Sequence, residues 1–271
     1  MVQLTPKNVT AGRSMKSAPA SNATAYADAG TGTRALELLE DARAYNGWIV
    51  DAIRPYLGDV NFELGAGRGT LSALVAESHA IVPFEIAEAN REVLRERFRN
   101  HPRVAPSEVD LLGCDRWNSV DCIYSANVLE HIPDDLAVLR HAARLLKPGG
   151  NFVAFVPAGM WLYSEFDRSI GHVRRYTASD RIRLAHVRAP DAELFLHEWR
   201  HLNVPGALGW FLKMRLLGRT ELDARDVSRV ARLIPLIRRL DRLRLPFGQS
   251  VLLVWKRPGP TGRANALSSD R

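Results

Sequence analysis

Cysteine is nearly absent from this chain. Only Cys114 and Cys122 occur in 271 residues, and neither belongs to a C-x-x-C pair or to a Cys/His cluster at metal-ligand spacing. That argues against a disulfide scaffold and a structural zinc site, gives no reason to expect a metal, and fits a reduced, cytoplasmic setting. Long apolar runs are missing too. The longest, Val204 to Gly218, is broken by Lys213 and Arg215 and is too short for the ~20 apolar residues that cross a bilayer, so no membrane insertion is expected. The first thirty residues are rich in Ala, Ser, Thr and Gly with scattered Lys7, Arg13 and Lys16, and they lack the apolar block of a secretory signal. Residues 1–33 are therefore expected to be a disordered tail, and the polar stretch 258–271 a second one.

What is present is enough for a large core. With 46% hydrophobic and 25% charged residues the chain is neither disordered nor fibrous. Its 37 Lys and Arg against 30 Asp and Glu give a formal +7, and the excess is regional: Arg200 to Arg257 holds thirteen basic and four acidic residues, a net of +9, leaving the rest near −2.

Apolar residues at helical spacing from Arg34 to Leu57, closed by Pro55, predict a helix or helix pair. Short apolar runs at Val60–Leu64, Ala80–Ile86, Val104–Val109, Asp121–Ser125 and Asn151–Val156 predict strands, with helices at Thr70–Glu77, Glu88–Arg99 and Asp134–Leu146 between them. Such alternation predicts a parallel α/β sheet. After Pro157 the pattern changes to a Tyr-, Arg- and His-rich loop, a helix start at Thr177–Asp180 and a strand at Glu193–Trp199. Helices punctuated by Pro205, Pro235 and Pro246 follow, then a final strand at Ser250–Trp255. One domain is expected over 34–257, with 157–180 and 203–246 as a cap over the carboxyl edge of the sheet, where ligands of open α/β sheets bind.

Glu63-Leu64-Gly65-Ala66-Gly67-Arg68-Gly69-Thr70 lies between the first strand and a helix, where glycines admit close backbone approach and helix N–H groups favour negative charge. A dinucleotide fingerprint would place its third glycine where Thr70 stands and asks for no acid at position 63. Glu85, twenty residues after Gly65, ends the second strand, where a carboxylate accepts ribose hydroxyls.

These residues resemble the class I S-adenosylmethionine (SAM)-dependent methyltransferases, whose first motif reads E/D-x-G-x-G-x-G and whose second strand ends in a ribose-binding acid. Asp110-Leu111, Ser125-Ala126-Asn127-Val128-Leu129-Glu130-His131-Ile132 and Leu145-Leu146-Lys147-Pro148-Gly149-Gly150 fit the family in order. The resemblance implies a Rossmann-like, mostly parallel seven-stranded sheet with helices on both faces, SAM as methyl donor and S-adenosylhomocysteine as product. It implies cofactor contacts at Glu63, Gly65, Ala66, Gly67, Gly69, Glu85, Ile86, Asp110, Leu111, Asn127 and Val128. Asp167-Arg168-Ser169-Ile170-Gly171-His172-Val173-Arg174-Arg175-Tyr176-Thr177, Asn203 to Trp210 and Pro246 to Ser250 are similar to a bacterial subgroup often encoded beside glycosyltransferase or natural-product genes. Lys213 stands where that subgroup tends to carry Asn, and Pro83 and Pro106 fall inside expected strands. The segment Ala42 to Ile49 resembles the family's lid over the cofactor, with Tyr45 near its methionine end.

Methyl transfer from a sulfonium needs mainly alignment, so a base is optional. His131, His172 and Tyr45 are the candidates for catalysis. Each also has a structural reading: His131 fixing its loop, His172 tying the cap to the sheet, Tyr45 packing with Trp48. Arg174 and Arg175 either pair with Asp167 or Glu165 or recognise an anionic substrate. Trp161 and Tyr163, beside Met160, either meet a flat substrate together with Arg175 and Tyr176 or belong to the core. A small-molecule acceptor is expected, with nitrogen, oxygen or carbon as the methylated atom, in a monomer or homodimer. The basic, amphipathic stretch Asp226–Leu245 is by default a solvated face; a membrane surface carrying a lipid-linked sugar is the alternative, and nucleic acid, for which no interleaved aromatics are present, is not expected.

Overall fold

The computed structural model describes residues 42–221 and 223–259. The expected tail over 1–33, the helical start at 34–41 and residues 260–271 lie outside the described residues. Helix α1 (Arg43–Ile53) turns its buried Trp48, Ile49 and Ile53 inward and ends in a three-ten turn at Arg54–Tyr56, around Pro55. Then follow β1 (Asn61–Leu64), α2 (Thr70–Val75), β2 (Ile81–Phe84), α3 (Glu88–Arg97), β3 (Val120–Ala126), α4 (Asp135–Leu145) and β4 (Leu146–Pro157). The second half holds α5 (Glu165–Ser169), α6 (Ala178–Arg183), β5 (His186–Arg188), β6 (Glu193–Leu202), α7 (Val204–Trp210), a π-helical turn at Phe211–Leu216, α8 (Ala224–Asp241) and β7 (Ser250–Lys256).

The strands form one sheet in the order β2-β1-β3-β4-β7-β6-β5. Pairing is parallel from β2 to β4 and antiparallel from there to β5. Both faces are covered, which is why the strands read as continuous apolar runs. Phe152 and Ala154 of β4 face a cluster with Val138, Leu139 and Ala142 of α4, while Val153 and Phe155 face Trp48, Ile49 and Ile53 of α1 with Ile234 and Ile237 of α8. Trp48 donates its indole N–H to Asp241 at 2.8 Å, and Asp241 also accepts the backbone N–H of Asn203 at 2.8 Å. One carboxylate thus joins α1, the end of α8 and the exit of β6.

Three expectations are corrected. Val104–Val109 is not a strand; Val104 makes an isolated parallel bridge to Ile81. Backbone bonds run from Ile81 to Arg103, from Ala105 to Ile81 and from Ser107 to Pro83, but Pro83 has no N–H for the intervening rung, and the ladder lapses there. A short strand not expected from the pattern, β5, occupies the far edge instead. Nor does Pro235 end a helix: α8 continues through it, with Ile234 and Ile237 buried on the same face.

The switch point lies between β1 and β3, where the chain first builds outward through β2 and then in the opposite direction through β4. The carboxyl ends of β1, β2, β3 and β4 share one edge, and because Leu202 and Pro157 both pair with Ser250, the exit of β6 and the entry of β7 lie there too. The segment 203–249 therefore leaves from and returns to the edge where the candidate site residues converge.

Candidate active site

The glycine loop after β1 is shaped by left-handed backbone at Gly65, Gly67 and Gly69, with φ of 71°, 55° and 82°. A Cβ on Gly65 would sit 2.6 Å from Val128 Cγ2, and one on Gly69 would sit 2.5 Å from Phe98 Cε2, whereas nothing lies within 4 Å of the Cβ position of Gly67. Gly65 and Gly69 are required by packing and Gly67 lines open space.

Two carboxylates anchor this loop. Glu85, almost fully buried, accepts the backbone N–H groups of Ile86 and Ala87 on Oε1, each at 2.8 Å, and that of Gly67 on Oε2 at 2.7 Å. Three of a carboxylate's roughly four acceptor positions are thus occupied, leaving capacity on Oε2. Glu63 is buried in β1 and accepts the hydroxyls of Ser72 and Tyr124 on one oxygen. Desolvation outweighs those two bonds and pushes its pKa up to about 7.

Asn127, which follows β3 in a left-handed conformation at φ 55°, meets Tyr45 of α1. Burial pushes the Tyr45 phenol up to about 12 despite the Asn127 hydrogen bond. Tyr45 and Asn127 open onto a cavity of about 660 Å³, whose other walls include His131, His172, Arg175, Phe166, Trp210 and Met214.

The floor of that cavity is a polar network. Asp167, wholly buried, accepts the N–H and hydroxyl of Ser164 at 2.9 Å each, Nε of Arg175 at 2.7 Å, and meets Nδ1 of His172 at 3.0 Å. Burial opposes its charge, but His172 and Arg175 hold its pKa below the usual carboxylate range. The Arg175 guanidinium lies over the Trp210 ring at 4.9 Å. His131 packs edge-on to His172 at 4.6 Å between ring centres and reaches the Gly171 carbonyl through Nδ1 at 3.3 Å; desolvation, then the neighbouring His172, lower its pKa to about 4. Glu130 is completely buried beneath both rings, and desolvation raises its pKa to about 8. Glu130, His131 and His172 each offer a ligand atom within 4.8 Å of the others. Spacing along the chain gave no sign of this cluster, because β4 carries the chain away between His131 and His172.

The fold therefore gathers Tyr45, Asn127, His131, His172 and Arg175 around one cavity. Other expected residues fall elsewhere. Tyr176 is a core residue whose hydroxyl donates to Asp135 at 3.0 Å, so it does not face a substrate. Tyr163 donates to the His172 carbonyl at 2.7 Å, Trp161 is half exposed against Phe211, and neither lines the cavity. Of the pairings expected across the loop, Arg175 with Asp167 is present at 2.7 Å, whereas Arg174 pairs with Asp135 at 2.7 Å and Glu165 with Arg168. Leu111 is packed in the core, leaving only its backbone for a ligand; Asp110 caps the turn that follows it by accepting the Gly113 N–H at 2.6 Å; Ile86 is exposed at the rim. Lys213 lines the cavity and is bonded to Asp226. Phe166 and Met214 were not singled out by sequence, since ordinary apolar spacing carries no sign of which face meets a ligand.

Residues 62–152 match the family model described as a methyltransferase domain. That span, about a third of the chain, is similar to a methyltransferase domain. Among curated proteins, the ubiquinone biosynthesis O-methyltransferase of Xanthomonas oryzae is 33% identical over 94 residues, covering 32% of this chain and 38% of that protein. An uncharacterized 37.1 kDa protein in transposon TN4556 of Streptomyces fradiae is 30% identical over 127 residues, covering 45% of this chain and 37% of that protein. This chain spans less than two fifths of the length of either relative. In fold alone it is similar to phosphoethanolamine N-methyltransferase 1 of Haemonchus contortus, in complex with phosphoethanolamine and S-adenosylhomocysteine, with a TM-score of 0.54 at 16% identity over 87% of this chain and 47% of that one.

Glu63 supplies a pH prediction. Its pKa of about 7 in the folded chain lies above the ordinary 4.5, so its contribution to stability is complete below the ordinary value and is lost as pH rises through the folded one. Wild-type protein should lose ~3 kcal/mol between about pH 4.5 and 7 from this group. Glu63→Gln, which keeps an acceptor for Ser72 and Tyr124, should lack that fall in urea unfolding near pH 5 and pH 8. An equal fall in both proteins would contradict the assignment.

Proposed function

We propose that the protein transfers a methyl group from SAM to a small-molecule acceptor, releasing S-adenosylhomocysteine. The observation that carries this reading is the juxtaposition of an open glycine loop and a buried carboxylate at the switch point with a large cavity that starts at Tyr45 and Asn127. The residues fit the cofactor. The capacity left on Glu85 suits a ribose hydroxyl, with a second hydroxyl competing with the Gly67 N–H; Gly67 leaves room for a ligand, and the turn after Asp110 offers backbone groups to an adenine. When bound, SAM supplies an electrophilic methyl group on sulfur. The chain's own part is alignment and exclusion of water. Tyr45 and Asn127 border the methyl-bearing end, and the apolar walls Phe166, Trp210 and Met214 hold the acceptor's body. His131, neutral at physiological pH, borders the acceptor and can orient its hydroxyl or amine through a hydrogen bond. The bacterial subgroup with G-H-x-R-R-Y supports a role in natural-product metabolism, and the Xanthomonas relative's name supports a small-molecule acceptor.

A second reading has its own support. Leu212, Leu216, Leu217, Leu233, Leu236 and Leu243 are each more than two fifths exposed on the cap, interspersed with exposed Arg215, Arg232, Arg239 and Arg242. Such a surface suits a lipid-linked acceptor presented at an anionic membrane, although no described helix is long and apolar enough to cross one.

Glu85→Ala should weaken S-adenosylhomocysteine binding more than tenfold in isothermal titration while a thermal melt still shows a folded protein; unchanged affinity would refute the ribose role. For the second reading, sedimentation with anionic vesicles should capture the protein and fail for Arg239→Gln/Arg242→Gln. Arg238 is the wrong choice there, since it pairs with Asp51. No sedimentation of the wild type would leave only the soluble acceptor.

A further inference from the structure

We propose that Glu130, His131 and His172 form a binding site for one divalent transition-metal ion, opening into the acceptor cavity. The starting observation is an orphan. Glu130 has no exposed surface, and neither of its carboxylate oxygens has a hydrogen-bond partner. A buried carboxylate left unsatisfied is costly and rare in a folded protein, and an ion is one of the few explanations for it. Asp167, a few ångströms behind, shows the contrast: it is saturated by Ser164, His172 and Arg175.

The two histidines are arranged as metal ligands usually are. Each has Nδ1 directed at an acceptor, His172 to the Asp167 carboxylate at 3.0 Å and His131 to the Gly171 carbonyl at 3.3 Å. That leaves Nε2 as the ligating atom of His172, and it lies 3.6 Å from Oε1 of Glu130, too far for a hydrogen bond. A carboxylate behind a ligating histidine fixes its tautomer and raises its basicity. The three ligand atoms lie within 4.8 Å of one another. Bonds of about 2.1 Å to a common centre bring donors to within ~4 Å of each other, so side-chain movements of about an ångström complete the set. Two imidazoles and one carboxylate suit zinc, cobalt or ferrous iron better than magnesium.

Three protein ligands leave positions open, and His131 and His172 both line the cavity that Tyr45 and Asn127 enter. The consequence for substrate rests on the methyltransferase reading above: the acceptor binds the ion through oxygen, as a phenol, catechol or sugar hydroxyl. The ion lowers the hydroxyl's pKa, as it does for bound water. The O–H proton leaves to solvent, the oxygen–methyl bond forms as the sulfur–methyl bond breaks, and neutral S-adenosylhomocysteine departs.

The test uses the full-length, untagged protein stripped with a chelator. Zn²⁺ should bind one to one in isothermal titration, and Co²⁺ should give visible d–d bands of a nitrogen- and oxygen-ligated ion. Glu130→Gln, which is isosteric, and His172→Gln should each weaken binding at least tenfold, and Asp167→Asn should weaken it by ~10-fold through His172. Failure of the folded wild type to bind Zn²⁺, Mn²⁺ or Co²⁺ stoichiometrically would overturn the site, as would affinity unchanged in both Glu130→Gln and His172→Gln. S-adenosylhomocysteine is titrated separately into the same preparations: metal binding without it would remove the methyl-transfer reading and leave the metal site standing.

Discussion

The pocket depends on one buried carboxylate. Asp167 gathers Ser164, His172 and Arg175 within hydrogen-bond distance, and each partner carries part of the architecture. Ser164 caps α5, His172 stands beside His131 and near Glu130, and Arg175 supports Trp210 of α7. Withdrawing Asp167 would leave a desolvated guanidinium without its partner and His172 without a fixed orientation, a loss larger than any one bond because the charge is buried. The network thereby fixes the segment 164–175, which outside α5 has no regular structure.

At the carboxyl ends of β1 and β2 the logic is similar but the partners are backbone. Glu85 holds the Gly67 N–H and two successive N–H groups after β2, so the loops that follow β1 and β2 are set by a single side chain. Glu63 ties β1 to α2 and β3 through Ser72 and Tyr124. Tyr45 and Asn127 line the cavity itself. On the proposed reading the donor is held by loops of the parallel half-sheet and the acceptor by the segment that leaves β6 and returns to β7.

Much of the fold was legible because it rests on patterns local in sequence. The alternation of apolar runs and helical spacing gave the parallel strands, and Gly65, Gly67, Gly69 and Glu85 marked the carboxyl edge. The failures have physical reasons. Pro83 breaks a hydrogen-bond ladder that apolar content alone suggests at Val104–Val109, and Pro235 is carried inside α8 by a face that buries Ile234 and Ile237. Tyr176 has the composition of a pocket residue, yet Asp135 draws its hydroxyl into the core. Arg174 and Arg175 are neighbours in sequence and opposite in fate, the first meeting Asp135 and the second Asp167. The Glu130, His131 and His172 cluster was not legible, since it exists only once β4 and the following loop bring the chain back over the exit of β3.

We propose that this carboxyl edge binds SAM beside a cavity for the acceptor. Isothermal titration of S-adenosylhomocysteine into the unaltered protein tests it most directly. One-to-one binding at micromolar affinity is the predicted result. No measurable heat from SAM or its product, with the protein folded, would mean that the glycine loop and Glu85 serve another ligand.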